Sequence, residues 1–373
     1  MPSVNDARKF YFVYSNHGES VIQLEDYFSL LKNLFEYCLD KPLLASPTPV
    51  PGHWNILVEC FNEKFVTLLR NIKQLDECTR YICIVTEFRM GDTFNVFFDP
   101  SNSNKSNGPL LTLDSWLHRF GIIEMSKKLP SYLVLKRFYE KWIKNAIGSS
   151  HYTSNDFYWK KRHDCFLEAL PFFDHVWLIS SNQTDGYCSI VEPERLWTVP
   201  VIPYIDHYSE PRFLIKQHDV DLLFTGTLTP HRIQIVNTLR EKGFSVVTGF
   251  FPYFLRNAYL DRTKACLHIR QHKNWFFSSN MRLHTLLMAG KYIFSEISVN
   301  SEEDLLQRDF VDEVSSEEFV ENVARKISDP IIETLGLKAR EDYIRSTQEI
   351  RRRVRRELPQ ILDRSDLSSR GRI

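Results

Sequence analysis

Residues 220–243 read VDLLFTGTLTPHRIQIVNTLREKG, an apolar run followed by an amphipathic one. The apolar run predicts a buried strand, and the apolar spacing after Pro230 predicts a helix that stops at Gly243. FSVVTGF, KACLHIR and KYIFSE, at residues 244–250, 264–270 and 291–296, predict three more strands with helices between them. Strands that alternate with helices favour a parallel sheet covered on both faces.

The amino-terminal half has the same alternation. KFYFVYS, NILVECF, RYICIVTEF and HVWLISS, at residues 9–15, 55–61, 80–88 and 175–181, predict strands. Amphipathic stretches at 20–39, 64–75, 113–147 and 158–170 predict helices. We therefore expect an α/β fold with two Rossmann-like domains facing a central cleft, divided as 1–205 and 206–335, with a closing helix and basic tail at 336–373.

The composition excludes several classes of protein. The chain has 373 residues, with 47 basic and 47 acidic side chains, and 43% of its residues are hydrophobic. This zero net charge argues against a general nucleic-acid or membrane-surface binder. Seven cysteines without a C-x-x-C pair indicate reduced thiols rather than a zinc site. Because no apolar run is long enough for a signal peptide core or a membrane span, we expect a soluble, cytoplasmic protein with no transmembrane segment.

Two places in the second half could bind a phosphate. Gly226 and Thr227 lie between a strand and a helix start, where free N–H groups and Arg232 could meet an anion. Ser279 and Asn280 precede the next helix, which places Arg282 in its first turn. The alternative is an ordinary turn, with serine caps and solvated arginines. Neither place has the glycine spacing of a dinucleotide fingerprint or a P-loop.

The order of these two blocks, from Asp219 to Asp329, resembles the C-terminal domain of GT-B-fold glycosyltransferases, of the group-1, CgeB-like kind. The family block R-x-x-E-x-x-x-x-G-x-x-x-x-x-E is matched at Arg282, Gly290 and Glu296, but Thr285 stands where the family has its first glutamate. CIVTEF and residues 158–187 resemble the amino-terminal half more loosely.

The resemblance implies a GT-B fold and a nucleoside-diphosphate-sugar as co-substrate, with no metal and no other cofactor. It assigns donor binding to the following residues: Gly226, Thr227, Arg232, His272, Ser279, Asn280, Arg282 and Thr285. A threonine hydroxyl would hold the ribose less strongly than a carboxylate does. The departure at Thr285 therefore also admits an inactive, GT-B-like binding protein.

A base in the amino-terminal half would deprotonate the acceptor hydroxyl. His17 follows the first predicted strand, and its ordinary pKa near 6.5 suits this role. Glu19 and Glu87 are the competing candidates. The alternative for all three is a side chain that caps a turn or faces solvent.

Three further features have competing interpretations. Asp219 and Asp221 match a metal-binding D-x-D, but a pair at a strand start is favoured. His268 and His272 form either a zinc pair or a wall that touches the sugar or phosphate, and the wall is favoured. RRRVRR, at residues 351–356, is either the polar face of the closing helix, which is favoured, or a contact for an anionic partner.

The sequence thus predicts a metal-independent glycosyltransferase that moves a sugar from a nucleotide-sugar donor to a hydroxyl acceptor on a glycan, a lipid or a small molecule. Glycosylation of modified DNA bases is an alternative, because the arginine-rich tail would then have a purpose.

Overall fold

The computed structural model describes residues 8–16, 24–94, 156–204, 218–272, 277–298 and 306–370. The chain divides into two compact units, one formed by Met1–Thr86 with Ala169–Ile373 and the other by Glu87–Glu168. The helix expected at 113–147 and the boundary expected between residues 205 and 206 lie outside the described residues.

In chain order the strands are β1 (Phe10–Val13), β2 (Leu43–Ser46), β3 (Trp54–Val58), β4 (Arg80–Val85), β5 (Arg89–Met90), β6 (Thr93–Phe94), β7 (His175–Leu178), β8 (Leu196–Thr198), β9 (Val220–Thr225), β10 (Val246–Gly249), β11 (Thr263–His268), β12 (Tyr292–Glu296) and β13 (Asp312–Val314). The α-helices are α1 (Glu25–Leu39), α2 (Glu63–Leu75), α3 (Asp156–Ala169), α4 (Thr184–Cys188), α5 (Pro230–Glu241), α6 (Tyr253–Arg262), α7 (Asn280–Met288), α8 (Phe319–Lys326), α9 (Ile331–Ser346) and α10 (Gln348–Arg370).

The first sheet has six parallel strands in the order β2-β1-β3-β4-β7-β8. Every residue of β3 and β4 is buried, as expected for strands covered on both faces. The core on one face includes Phe10, Phe35 and Trp54, and the rings of Phe10 and Phe35 lie 4.6 Å apart.

The second sheet has five parallel strands in the order β10-β9-β11-β12-β13. Two clusters of buried side chains cover its faces, one packed against α5 and α8 and the other against α7 and α9. The predicted α/β class, with two Rossmann-like parallel sheets, is therefore confirmed.

Two short edge strands were not predicted. β2 lies in the proline-rich connector between α1 and β3, and β13 lies in an acidic stretch. Each has only three or four residues, so neither contains a period long enough to recognise. Both add parallel to an existing strand, which supplies the pairing that the local sequence does not specify.

The carboxyl-terminal helix packs on the amino-terminal half. Val354, Leu358 and Leu362 of α10 belong to the core cluster of the first sheet. Arg351 is buried, and Arg355 lies over the ring of Tyr37 on α1, with 5.4 Å from its Cζ to the ring centroid. Arg352, Arg353 and Arg356 are exposed, so RRRVRR has a buried face and a solvated one.

The second unit contains the β5–β6 hairpin and α3. The ring of Phe94 packs edge-on against His163, with 5.0 Å between centroids, and the Nε of Arg89 donates to Nε2 of His163 at 3.1 Å. Among all helices in the described part of the chain, none has the length and apolar character needed to cross a membrane.

Candidate anion-binding site

The candidate site lies at the carboxyl edge of the second sheet, where β9 ends. Gly226 adopts φ 139°, and its N–H donates to the Gly249 carbonyl at 3.0 Å. The expectation that this N–H reaches a phosphate is therefore wrong, because the neighbouring strand already uses it. The N–H of Thr227 has no hydrogen-bond partner within the described residues, so it is the donor that this turn offers.

Arg232 is held by backbone carbonyls around the site. Its Nε donates to the carbonyls of Ile269 and Arg270, both at 3.1 Å, and its Nη1 donates to the Thr227 carbonyl at 2.9 Å. The side chain is only 6% exposed. Arg232 therefore joins the loop after β9 to the loop after β11 and fixes the shape of the site.

Arg282 lies over the same Phe224 ring and has no acidic partner among the described residues. The Cζ atoms of Arg232 and Arg282 lie 5.1 and 5.3 Å from the centroid of the Phe224 ring. Nη1 of Arg282 is buried and lacks a hydrogen-bond partner, and no carboxylate of the described residues pairs with this guanidinium. Burial lowers the pKa of Arg282 to about 10, opposed by Tyr27. A buried cation without a partner is costly unless an anion binds to it.

His268, at the end of β11, is a neutral imidazole within this positive environment. Its Nε2 accepts from the Ser279 N–H at 3.3 Å, so the proton lies on Nδ1, which is 3.0 Å from the Ser295 hydroxyl. Burial holds the pKa of His268 well below 6.5, and the charges of Arg282 and Arg232 lower it further. Because both nitrogens are engaged within the described residues, a wall of the site is favoured over a zinc pair with His272, and this choice stays a prediction.

Glu296 ends β12 and is fully buried, yet it remains ionised. Its carboxylate accepts from Nε2 of His231 at 2.9 Å, from the Arg270 N–H at 2.7 Å and from the Ser316 hydroxyl at 2.6 Å. Burial alone would raise the pKa of Glu296, but the hydrogen bonds of His231 and Ser316 lead the effects that hold it below its ordinary value. Glu296 thus ties the start of α5 to the segments that follow β11 and β13.

The start of α7 carries most of the other predicted residues. The Ser279 side chain makes no cap hydrogen bond, whereas Asn280 is buried and donates from Nδ2 to the Ile179 carbonyl at 3.4 Å. The Thr285 hydroxyl donates to the Met281 carbonyl at 2.9 Å, which leaves its oxygen as an acceptor only. The hydroxyl of Ser278 is buried without a partner in the described part of the chain.

The structure therefore brings Gly226, Thr227, Arg232 and Arg282 together. Sequence reasoning missed Phe224, which carries no motif of its own. A signal existed for it, since Phe224 lies two residues before Gly226. His272 is exposed and lies at the end of a described range.

The predicted catalytic residues are placed differently. His17 and Glu19 lie outside the described residues. Glu87 belongs to the unit Glu87–Glu168, where its carboxylate lies 3.1 Å from Nη2 of Arg162. The role of all three as bases stays a prediction.

The D-x-D pair lies at the amino-terminal edge of the second sheet, opposite the site. Asp219 pairs with Arg262, while Asp221 accepts from Lys264 at 2.6 Å and from the Ser245 N–H at 2.8 Å. These partners explain the pair as a strand-start cluster. Within the described ranges, no group of three or more His, Cys, Asp or Glu side chains could hold a metal ion.

No protein-family model matches the chain, and no curated protein matches it. Among solved structures, WaaG, a glycosyltransferase involved in lipopolysaccharide biosynthesis, is 10% identical over 91% of this chain and 96% of its own, with a TM-score of 0.44. The sucrose-phosphate synthase of Thermosynechococcus elongatus is 10% identical over 95% and 99%, with a TM-score of 0.37. The lipopolysaccharide outer core galactosyltransferase WaaB, in its apo form, is 14% identical over 91% and 99%, with a TM-score of 0.34.

Proposed function

We propose that this chain is a metal-independent GT-B glycosyltransferase that transfers a sugar from a nucleoside-diphosphate-sugar donor to a hydroxyl acceptor. The observation that carries the proposal is the buried guanidinium of Arg282 at the carboxyl edge of a parallel sheet, which no carboxylate of the described residues neutralises. Ligands of open α/β sheets bind at this edge. A diphosphate would supply the negative charge that Arg282 lacks.

The negative charge that develops during sugar transfer would lie next to the arginines of this site. As the bond between the sugar and the diphosphate breaks, negative charge develops on the leaving phosphate oxygens. A guanidinium in a low-dielectric site stabilises that charge more strongly than water does. The Thr227 N–H and the Ser278 hydroxyl are two further donors without a partner among the described residues. With two arginines at this edge, charge neutralisation at the diphosphate would need no metal ion.

Thermal unfolding in the presence of UDP, GDP, ADP or TDP tests the proposal. A nucleotide at about 100 times its Kd should stabilise the native state by about 2.7 kcal/mol. We expect one of the four to give this shift with the wild-type protein and none to give it with Arg282→Met. Without ligand, Arg282→Met should be at least as stable as the wild type, since it removes an unpaired buried charge.

Arg262→Met is the matched control, because Arg262 lies at the opposite edge of the same sheet and pairs with Asp219. This variant should keep the nucleotide shift. The proposal is refuted if no nucleotide stabilises the wild type, or if Arg282→Met responds as the wild type does. A nucleotide shift without donor hydrolysis or sugar transfer would instead support a binding protein.

A further inference from the structure

A cluster of apolar side chains projects from the loop after β10 and from the first turn of α6. Phe250 is 54% exposed, Tyr253 40%, Phe254 73% and Leu255 36%, and we refer to these four as the aromatic tip. Phe251, in the same loop, turns inward, with its ring 4.8 Å from that of Tyr259. The loop is therefore packed on one side while four neighbouring apolar residues face solvent.

The base of the tip is held by acidic residues of α1. The Tyr253 N–H donates to Oε2 of Glu25 at 2.7 Å, and Arg256 makes two hydrogen bonds to Asp26, at 2.6 and 2.7 Å. The Arg256 guanidinium also covers one face of the Tyr253 ring, 5.4 Å from its centroid. Both carboxylates near the tip are thus engaged, and the cation beside it is paired.

Soluble proteins expose single apolar side chains often, but four within six residues indicate a binding surface. Among the described residues, the charged side chains that contact the tip are engaged with it or with each other, so they offer an ionic partner no unpaired charge. A neutral lipid surface fits, because tyrosine and phenylalanine rings bury their apolar bodies at the interface while a phenol hydroxyl stays hydrated. Lipid also accommodates side chains that project individually, as Phe254 does.

We propose that the aromatic tip inserts into the interface of a neutral lipid bilayer and docks the chain on a membrane. The tip begins at Phe250, directly after Gly249, whose carbonyl accepts the Gly226 N–H. Insertion would therefore bring the carboxyl edge of the second sheet next to the lipid surface. The proposal concerns the surface alone and stands whether or not the chain transfers sugars.

Flotation with vesicles of phosphatidylcholine alone is the test. The wild type should float with the vesicles equally well at about 0.1 M and about 1 M NaCl, because apolar insertion is not screened by salt. The double variant Phe250→Ser, Phe254→Ser should lose about tenfold or more of the vesicle affinity, since two rings no longer leave water. Leu75→Ser is the matched control: Leu75 is an 87% exposed leucine at the end of α2, and its loss should change nothing.

The exposed arginines of α10 provide the competing explanation. Binding only to vesicles that contain phosphatidylglycerol, with loss at high salt and in the triple variant Arg352→Gln, Arg353→Gln, Arg356→Gln, would assign docking to α10 and overturn the proposal. So would failure of the wild type to bind phosphatidylcholine vesicles, or wild-type binding by the double phenylalanine variant. The thermal unfolding midpoints of all variants should match the wild type, because every altered side chain is exposed.

Discussion

Only a glycine at position 226 leaves enough room for the guanidinium of Arg282. A Cβ atom at Gly226 would lie 2.6 Å from Nη2 of Arg282, and its φ of 139° disfavours any other residue. Gly226→Ala should therefore displace the guanidinium and lower nucleoside-diphosphate affinity by about tenfold to a hundredfold, the value of a charge-assisted hydrogen bond. Isothermal titration with the nucleotide that stabilises the wild type measures this loss.

Gly243→Ala is the control that separates the effect of backbone strain from the effect of displacing the Arg282 side chain. Gly243 also has positive φ, at 92°, but a Cβ there meets no atom within 4 Å. Both variants should be less stable than the wild type, because both force a side chain into an unfavourable backbone conformation. Only Gly226→Ala should lose affinity, and an equal loss in Gly243→Ala would contradict the explanation.

The buried histidines make stability depend on pH. Burial lowers the pKa of His284 to about 4, opposed by Asp26, and the pKa of His268 lies well below 6.5. Unfolded histidines bind protons near pH 6.5, whereas these two folded ones do not. Stability is thus complete above that pH and falls as the pH decreases, by about 1.4 kcal/mol per pH unit for each excluded proton.

Urea unfolding between about pH 7 and about pH 5 measures this slope. His284→Gln should reduce the slope by about 1.4 kcal/mol per pH unit, whatever its effect on stability at neutral pH. An unchanged slope in this variant would mean that His284 is protonated in the folded state.

At the scale of elements, the backbone of α9 packs directly against the turn between α7 and β12. A Cβ at Gly336 would lie 2.6 Å from the Gly290 carbonyl oxygen and 2.6 Å from the Tyr292 nitrogen. Because backbone atoms cannot move aside as side chains do, Gly336→Ala should destabilise the protein by about 3 kcal/mol in urea unfolding. Thr334→Ala, on the exposed face of the same helix, should change stability by less than about 0.5 kcal/mol. Equal stability of the two variants would show that α9 can shift on the sheet.

The secondary-structure elements also show which parts of the fold can be predicted from the sequence. Periodic segments, such as those of β9 with α5 and α7 with β12, specify their own structure and were predicted. β2 and β13 depend on a neighbouring strand, and the break between α9 and α10 at Thr347 has no glycine or proline to announce it. The positions of Arg232 and Arg282 could be predicted from helix starts, but the different hydrogen-bond partners of the two side chains could not. Arg232 is bound by carbonyls from two loops, whereas Arg282 has no carboxylate partner among the described residues, and only tertiary structure decides this.

For the molecule as a whole, the joint between the two sheets rests on a few polar contacts in addition to packing. The Val201 carbonyl, after β8, accepts from the Tyr343 hydroxyl at 2.8 Å and from Nε2 of Gln307 at 3.1 Å. Asp26 and Arg256 connect α1 of the first sheet to α6 of the second. Since α6 also carries most of the aromatic tip, this ion pair connects the first sheet, the second sheet and the tip.

A double-mutant cycle with Asp26→Asn and Arg256→Gln measures how strongly the two halves are coupled. The pair is bidentate, and the Arg256 side chain is only 10% exposed, so we expect a coupling free energy of about 2 kcal/mol. The cycle Arg353→Gln, Glu357→Gln is the control, because that pair is exposed, 3.9 Å apart and within one helix. It should give less than about 0.5 kcal/mol. Equal coupling in the two cycles would mean that packing alone, through Val201, Tyr343 and their neighbours, joins the halves.

The shape of the unfolding transition tests the same coupling. Urea unfolding of the wild type should be a single transition. That of Arg256→Gln should be broader, with a lower m value, because the second sheet begins to unfold separately from the first.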